Sequence, residues 1–137
     1  MAVVKADAYG HGAAAISRVL EEEAVEHFAV ATLEEGIELR GAGIKGPILV
    51  FGGCYPGQET EFLHQDLVAA VFSLSDLKRL QQFGAENRSS FPVHLKCDTG
   101  MGRVGFLPDE IQGLIEQLKE RSGVEVVGLM SHLACAD

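Results

Sequence analysis

Lys5 closes a short apolar run, Ala2-Val3-Val4, and Lys96 closes another, Val93-His94-Leu95. Arg103 stands in the segment after the second run, and Ser131-His132 follows a third at residues 124–129. A lysine in such a place has two chemistries. Its stem can pack on apolar neighbours while the ammonium reaches water. Alternatively, with its pKa lowered by desolvation, its amine adds to an aldehyde cofactor as a Schiff base. Residue type alone leaves both open, so the elements that position these groups come next.

The apolar runs read as buried strands at Val3-Val4, Phe28-Ala29-Val30, Ile48-Leu49-Val50-Phe51, Leu67-Val68-Ala69-Ala70-Val71, Val93-His94-Leu95 and residues 124–129. Between them lie residues with helical spacing: Ile16, Val19 and Leu20; Leu33 and Ile37; Phe62 and Leu63; Leu77 and Leu80; Ile111, Leu114, Ile115 and Leu118. Thr32 with Glu35 fits a capping box, and Pro108 suits a first helical turn. Gly84 and Gly123 fall where helix C-terminal glycines belong. No linker or low-complexity segment interrupts the chain, so no internal domain boundary is expected.

About six strands alternating with five helices make an α/β parallel sheet, either open and doubly wound or closed into a barrel. An open sheet would place G-x-G-x-x-G after its first strand; here that turn reads Lys-Ala-Asp-Ala-Tyr-Gly-His-Gly, which favours the barrel. In both architectures ligands gather at the carboxyl ends of the strands. Lys5, Lys96, Arg103 and His132 are therefore expected on one face of the sheet.

The 137 residues suffice for one domain or part of one, and a net charge of -9 opposes nucleic acid and anionic membranes as partners. An anionic ligand needs locally placed cations and N–H groups. Three scattered cysteines, no C-x-x-C pair, no signal-peptide pattern and no long apolar stretch predict a cytoplasmic protein. No residue is assigned to a metal, since neither His27 nor His64 has a ligand at useful spacing. His11 is expected to cap the first helix, and Glu21-Glu22-Glu23 to form a solvated helix face.

The segment Ala2-Val3-Val4-Lys5-Ala6-Asp7-Ala8-Tyr9-Gly10-His11-Gly12 resembles the cofactor-lysine motif of the alanine racemase family. His94-Leu95-Lys96-Cys97-Asp98-Thr99-Gly100-Met101-Gly102-Arg103-Val104-Gly105 resembles the later segment that holds the family's active-site arginine. Ser131-His132-Leu133-Ala134-Cys135-Ala136-Asp137 resembles a third motif, and all three occur in the family's order.

The resemblance implies an incomplete (β/α)8 TIM-type barrel: residues 1–137 as part of a pyridoxal-phosphate-binding domain, without the rest of the barrel and the C-terminal β domain. A barrel of this class takes roughly 250 residues. The implied activity is interconversion of L- and D-alanine by two-base proton transfer, supplying D-alanine for bacterial peptidoglycan, in a homodimer whose partner subunit contributes a tyrosine. The isolated chain is expected to be inactive.

By the same resemblance Lys5 binds pyridoxal 5'-phosphate and moves a proton on one face of the substrate carbon, while Tyr9 binds the phosphate. Arg103 binds the cofactor's phenolic oxygen near the substrate carboxylate, and His132 supports the ring. Lys96 matches a position that is carbamylated in many members; an ordinary lysine paired with an acidic neighbour is the alternative. Plainer readings stand beside the others: Tyr9 as a half-buried aromatic over the barrel mouth, Arg103 as a surface arginine, His132 as a satisfied core histidine. A serine or broad-specificity racemase and a non-catalytic carrier of the cofactor on a related barrel are the competing functions.

Overall fold

The computed structural model describes residues 1–119 and 123–135. Backbone contacts group the chain into two compact units, Met1–Ala69 and Ala70–Asp137, with the division inside a strand. Among the described residues, six strands alternate with five right-handed helices, as the hydrophobic runs predict. Six strands are short of the eight that close a barrel.

The first unit contains β1 (Ala2–Val3), α1 (Ala13–Glu22), β2 (Phe28–Val30), α2 (Leu33–Gly41), β3 (Ile48–Val50), α3 (Glu59–His64) and the start of β4 (Leu67–Val71). Its strands pair in parallel in chain order, with Ala2 opposite Phe28, Phe28 opposite Ile48 and Ile48 opposite Leu67. Every residue of β2, β3 and β4 is buried, as continuous β-branched runs in a parallel sheet require. Gly36 lets α2 approach the sheet, because a Cβ there would stand 3.0 Å from a Leu67 methyl. Thr32 Oγ1 accepts the Glu35 N–H at 3.4 Å while the Glu35 carboxylate accepts the Thr32 N–H at 3.2 Å, completing the expected capping box.

Two side chains tie the connections that enter the strands. Arg40 donates to the carbonyls of Gln65, Ile44, Gly46 and Asp66. Glu21 accepts from Lys45 N and Gly46 N, bonds that hold its carboxyl below the usual range. The Glu21-Glu22-Glu23 cluster is thus only partly a solvated face: Glu22 and Glu23 are exposed, but Glu21 anchors a turn. Charge pattern alone does not show that partner, which lies on another connection.

The second unit holds the rest of β4, then α4 (Leu74–Glu86), β5 (Phe91–Lys96), a 3-10 turn (Pro108–Glu110), α5 (Ile111–Lys119) and β6 (Val124–Met130). Pro108 opens that 3-10 turn ahead of α5. β5 and β6 pair in parallel with a shift between Val93 and His94, where the His94 ring lies against Gly128 and leaves no room for a Cβ. Gly84 does not end its helix, since α4 continues to Glu86 and closes at Asn87. It is glycine because the Gly123 carbonyl occupies the space a Cβ would need. Gly123 itself has φ +91° and precedes β6; the expected helix end before it lies outside the described residues. Unlike β2, β3 and β4, β6 is largely exposed, with Leu129 at 74%. No helix among the described residues is long and apolar enough to cross a membrane.

Candidate functional site

Lys5 leaves the sheet directly after β1, where Val4 is buried and its N–H still pairs with Ala29 O at 2.9 Å. The chain then makes a left-handed turn. Ala6, Asp7, Ala8 and Tyr9 have φ between +51° and +55° and ψ between +36° and +51°. An L-residue in this region brings Cβ against the following carbonyl oxygen, at about 1–2 kcal/mol per residue. Four in succession form only where surrounding bonds hold them.

Those bonds are present. Ala8 N donates to Val4 O at 3.0 Å, Gly12 N to Asp7 O at 2.9 Å, and His11 Nδ1 lies 2.9 Å from Ala8 O. Asp7 Oδ1 accepts the Ala13 N–H at 2.6 Å, so Asp7 and not His11 caps the first turn of α1. The Glu35 carboxylate accepts from Ala6 N at 2.7 Å and Ala31 N at 2.7 Å, as well as from Thr32 N. On this turn Lys5 is half-exposed and Tyr9 is 61% exposed.

In the second unit, the loop after β5 carries Arg103. Phe106, fully buried, closes the loop at its base: its N–H donates to Lys96 O at 2.8 Å and its carbonyl accepts Asp98 N at 3.0 Å. Inside, the buried Asp98 carboxylate accepts from Gly100 N at 2.9 Å, Gly102 N at 3.1 Å and Arg103 N at 2.8 Å. These N–H groups hold its carboxyl below the usual carboxylate range. Gly100, Gly102 and Gly105 take φ of +125°, +65° and +136°. Arg103 is exposed, and its guanidinium makes no hydrogen bond among the described residues.

Lys96 is buried at 7% exposure. Burial lowers its pKa and the nearby Arg103 lowers it further, with Asp98 opposing them. Thr99 Oγ1 meets Ser131 Oγ at 2.6 Å, joining this loop to the segment after β6. His132, in that segment, is exposed and makes no hydrogen bond among the described residues. The turn thus presents Lys5 with Tyr9, while Asp98 and Arg103 share the loop that follows Lys96, the last residue of β5.

Two residues that shape these segments, Glu35 and Asp98, were absent from the sequence-based candidates. An aspartate followed by glycines at the second and fourth positions is a local signal that finds Asp98. Nothing local links Glu35 to Ala6. Taken one by one, Lys5 offers an amine able to add to an aldehyde carbon, and the Tyr9 phenol and the Arg103 guanidinium, which make no hydrogen bond among the described residues, offer donors for anionic oxygens.

The family model described as "Alanine racemase, N-terminal domain" matches residues 1–137. The alanine racemase of Sorangium cellulosum (strain So ce56) is 48% identical over 139 residues, covering 98% of this chain and 37% of that protein. Among solved structures, alanine racemase from Clostridium difficile 630 superposes with a TM-score of 0.92 at 37% identity, over 99% of this chain and 38% of that one. Alanine racemase from Bartonella henselae with covalently bound pyridoxal phosphate gives 0.88 at 30% identity, over 97% of this chain and 39% of that one. The chain therefore spans a little over a third of the length of the relatives it matches.

Proposed function

The chain belongs to the alanine racemase family, and from that membership we propose that the full-length protein containing it interconverts L- and D-alanine with pyridoxal 5'-phosphate held on Lys5. The observation that carries the reading is the lysine at the end of β1, presented on a turn whose strained backbone is held by several hydrogen bonds. Strain kept in place at a reactive side chain is a mark of a functional segment. The covalently bound cofactor in the similar Bartonella henselae structure supports the same group.

When bound, the cofactor supplies the electron sink that makes the α-proton of the substrate removable. Lys5 Nζ would hold the cofactor through its aldehyde carbon, and as a free amine it would move a proton on one face of the substrate carbon. Tyr9 Oη donates to the cofactor phosphate. The Arg103 guanidinium donates to the phenolic oxygen and orients the substrate carboxylate, a task for which a planar fork suits two anionic acceptors. His132 supports the ring. Delivery on the opposite face belongs to a tyrosine of a partner subunit in a homodimer. The activity belongs in the bacterial cytoplasm, where D-alanine supplies peptidoglycan.

Lys96 fits carbamylation better than an ordinary ion pair. Its burial and the adjacent Arg103 favour the neutral amine, and Asp98 is already engaged by three backbone N–H groups. The neutral amine adds to carbon dioxide and loses a proton, leaving an anion beside Arg103. Incubation with 13C-bicarbonate should give a carbamate carbon signal that Lys96→Ala removes; a spectrum unchanged by that substitution would reject the assignment.

The test of the main reading is borohydride reduction of the full-length, cofactor-loaded protein followed by peptide mapping. A pyridoxyl adduct on Lys5, lost in Lys5→Ala together with alanine racemisation, is the expected result. An adduct found only on another lysine overturns it.

A further inference from the structure

A capping box asks little of its glutamate, which need only return to the N-cap N–H. Glu35 does more. Oε1 accepts from Ala6 N, and Oε2 accepts from both Ala31 N and Thr32 N. The first of these bonds crosses 29 residues of sequence and reaches the peptide immediately after Lys5.

The backbone between β1 and β2 explains why a side chain is used there. Val4 N donates to Ala29 O, and continuation of the parallel ladder would send Ala6 N to Ala31 O. That carbonyl is turned the other way, accepting Gly52 N at 3.0 Å, just as Val30 O accepts Phe51 N. Ala6 N therefore has no main-chain acceptor from β2, and the Glu35 carboxylate takes the place of the missing carbonyl. Since the peptide N–H of Ala6 and the carbonyl of Lys5 share one plane, fixing that N–H fixes ψ of Lys5 and the direction in which its side chain leaves the strand.

We propose that Glu35 is a positioning residue for Lys5: by extending the β1–β2 ladder one step past its last main-chain bond, it sets the left-handed turn on which the cofactor lysine is presented. This rests on the reading of Lys5 as the cofactor lysine. The remaining bonds of the turn, from Asp7, His11 and Gly12, run within the turn or to α1 and do not reach β2.

Glu35→Gln tests this with nearly constant size. All three of the carboxylate's partners are N–H donors, so the amide nitrogen of glutamine must face at least one of them and lose that bond. Thr32→Ala is the control, because it removes the other half of the capping box and weakens the start of α2 without touching Ala6. In full-length protein loaded with pyridoxal phosphate, Glu35→Gln should release cofactor faster on dilution. Its kcat for alanine should fall about tenfold or more, with KM changed much less, as misplacement of a reacting group produces. Amide hydrogen exchange at Ala6 should accelerate in the same variant. Thr32→Ala should keep kcat and Ala6 protection near those of the unsubstituted protein, even if its thermal stability falls as far.

Equal cofactor release, turnover and Ala6 exchange in Glu35→Gln and the unsubstituted protein, with a Lys5 adduct present in both, overturns this inference alone. Equal losses in Glu35→Gln and Thr32→Ala also overturn it, by reducing Glu35 to a helix cap. If the unsubstituted protein forms no adduct on Lys5, the reading of Lys5 fails and takes this inference with it.

Discussion

The turn after β1 and the loop after β5 solve one problem with different residues. Each places a nitrogen group beyond the carboxyl end of a strand on irregular backbone, and each is tied to a carboxylate that accepts three backbone N–H groups, all three from the loop for Asp98 but only that of Ala6 from the turn for Glu35. In the loop, glycines take the positive φ angles without steric cost, and Asp98 accepts from residues only two to five positions on. In the turn, Ala6, Asp7, Ala8 and Tyr9 take them, and the carboxylate belongs to a helix in the next repeat. Hydrogen bonds to a charged acceptor contribute about 1.5–3 kcal/mol each, comparable with the roughly 1–2 kcal/mol that each left-handed residue costs. The loop is shaped by its own sequence; the turn takes its shape from the fold around it.

The sharpest break should come from filling the loop's glycine space. A Cβ on Gly105 would lie 2.6 Å from Asp98 N and 2.8 Å from the Cys97 carbonyl carbon, both backbone atoms, at φ +136°. Gly105→Ala in the full-length protein should therefore lower stability by about 3 kcal/mol or more, since neither contact can be relieved by a side-chain rotation. Urea denaturation reads this directly. A loss below about 1 kcal/mol would mean that the loop relaxes easily and is not fixed by its glycines.

A smaller and pH-dependent effect should follow Asp98→Asn. The N–H groups of Gly100, Gly102 and Arg103 depress the folded-state pKa of Asp98 below its unfolded value. Its contribution is therefore complete above the unfolded pKa of about 3.9 and lost as pH falls through the lower folded value. Stability of the unsubstituted protein should exceed that of Asp98→Asn at neutral pH, with the gap narrowing below about pH 4. Paired denaturation curves across that range check it; a gap independent of pH would show that the charge does not hold the loop.

The same contrast accounts for what the sequence revealed. Buried runs such as Phe28-Ala29-Val30 and the Thr32–Glu35 box are local patterns with local causes, and both appear where expected. The segment from Asp98 to Gly105 signals an unusual backbone through its glycines. The turn at residues 6–9 gives no such signal, because alanine, aspartate and tyrosine favour right-handed conformations and the bond that holds Ala6 comes from a distant residue. Gly84 misled for a related reason: its glycine serves the close passage of Gly123, a tertiary fact, and not the end of a helix. Glu21 likewise reads as one of three surface acids until its partners at Lys45 and Gly46 are seen. Local chemistry was legible in this chain, and side chains that act on another element were not.

The smallest expected effect tests whether the turn is strained at all. Ala6 is exposed, with φ +51°, and its side chain is confined to a methyl group, so replacing it with glycine removes the Cβ–carbonyl conflict and little else. Relief of the left-handed conformation should stabilise by about 1–2 kcal/mol. The greater freedom of glycine in the unfolded chain offsets about 0.4–1 kcal/mol of that. The backbone N–H that Glu35 accepts is kept, so the anchoring bond gives no reason for a loss. Ala6→Gly should therefore leave stability unchanged or raise it by up to about 1.6 kcal/mol, the opposite of the usual result for introducing glycine into a structured segment. Matched urea denaturation of the two full-length proteins is the measurement. A loss of more than about 1 kcal/mol would show that alanine sits without strain at this position, and the distinction between a relaxed glycine loop and a strained alanine turn would have to be abandoned.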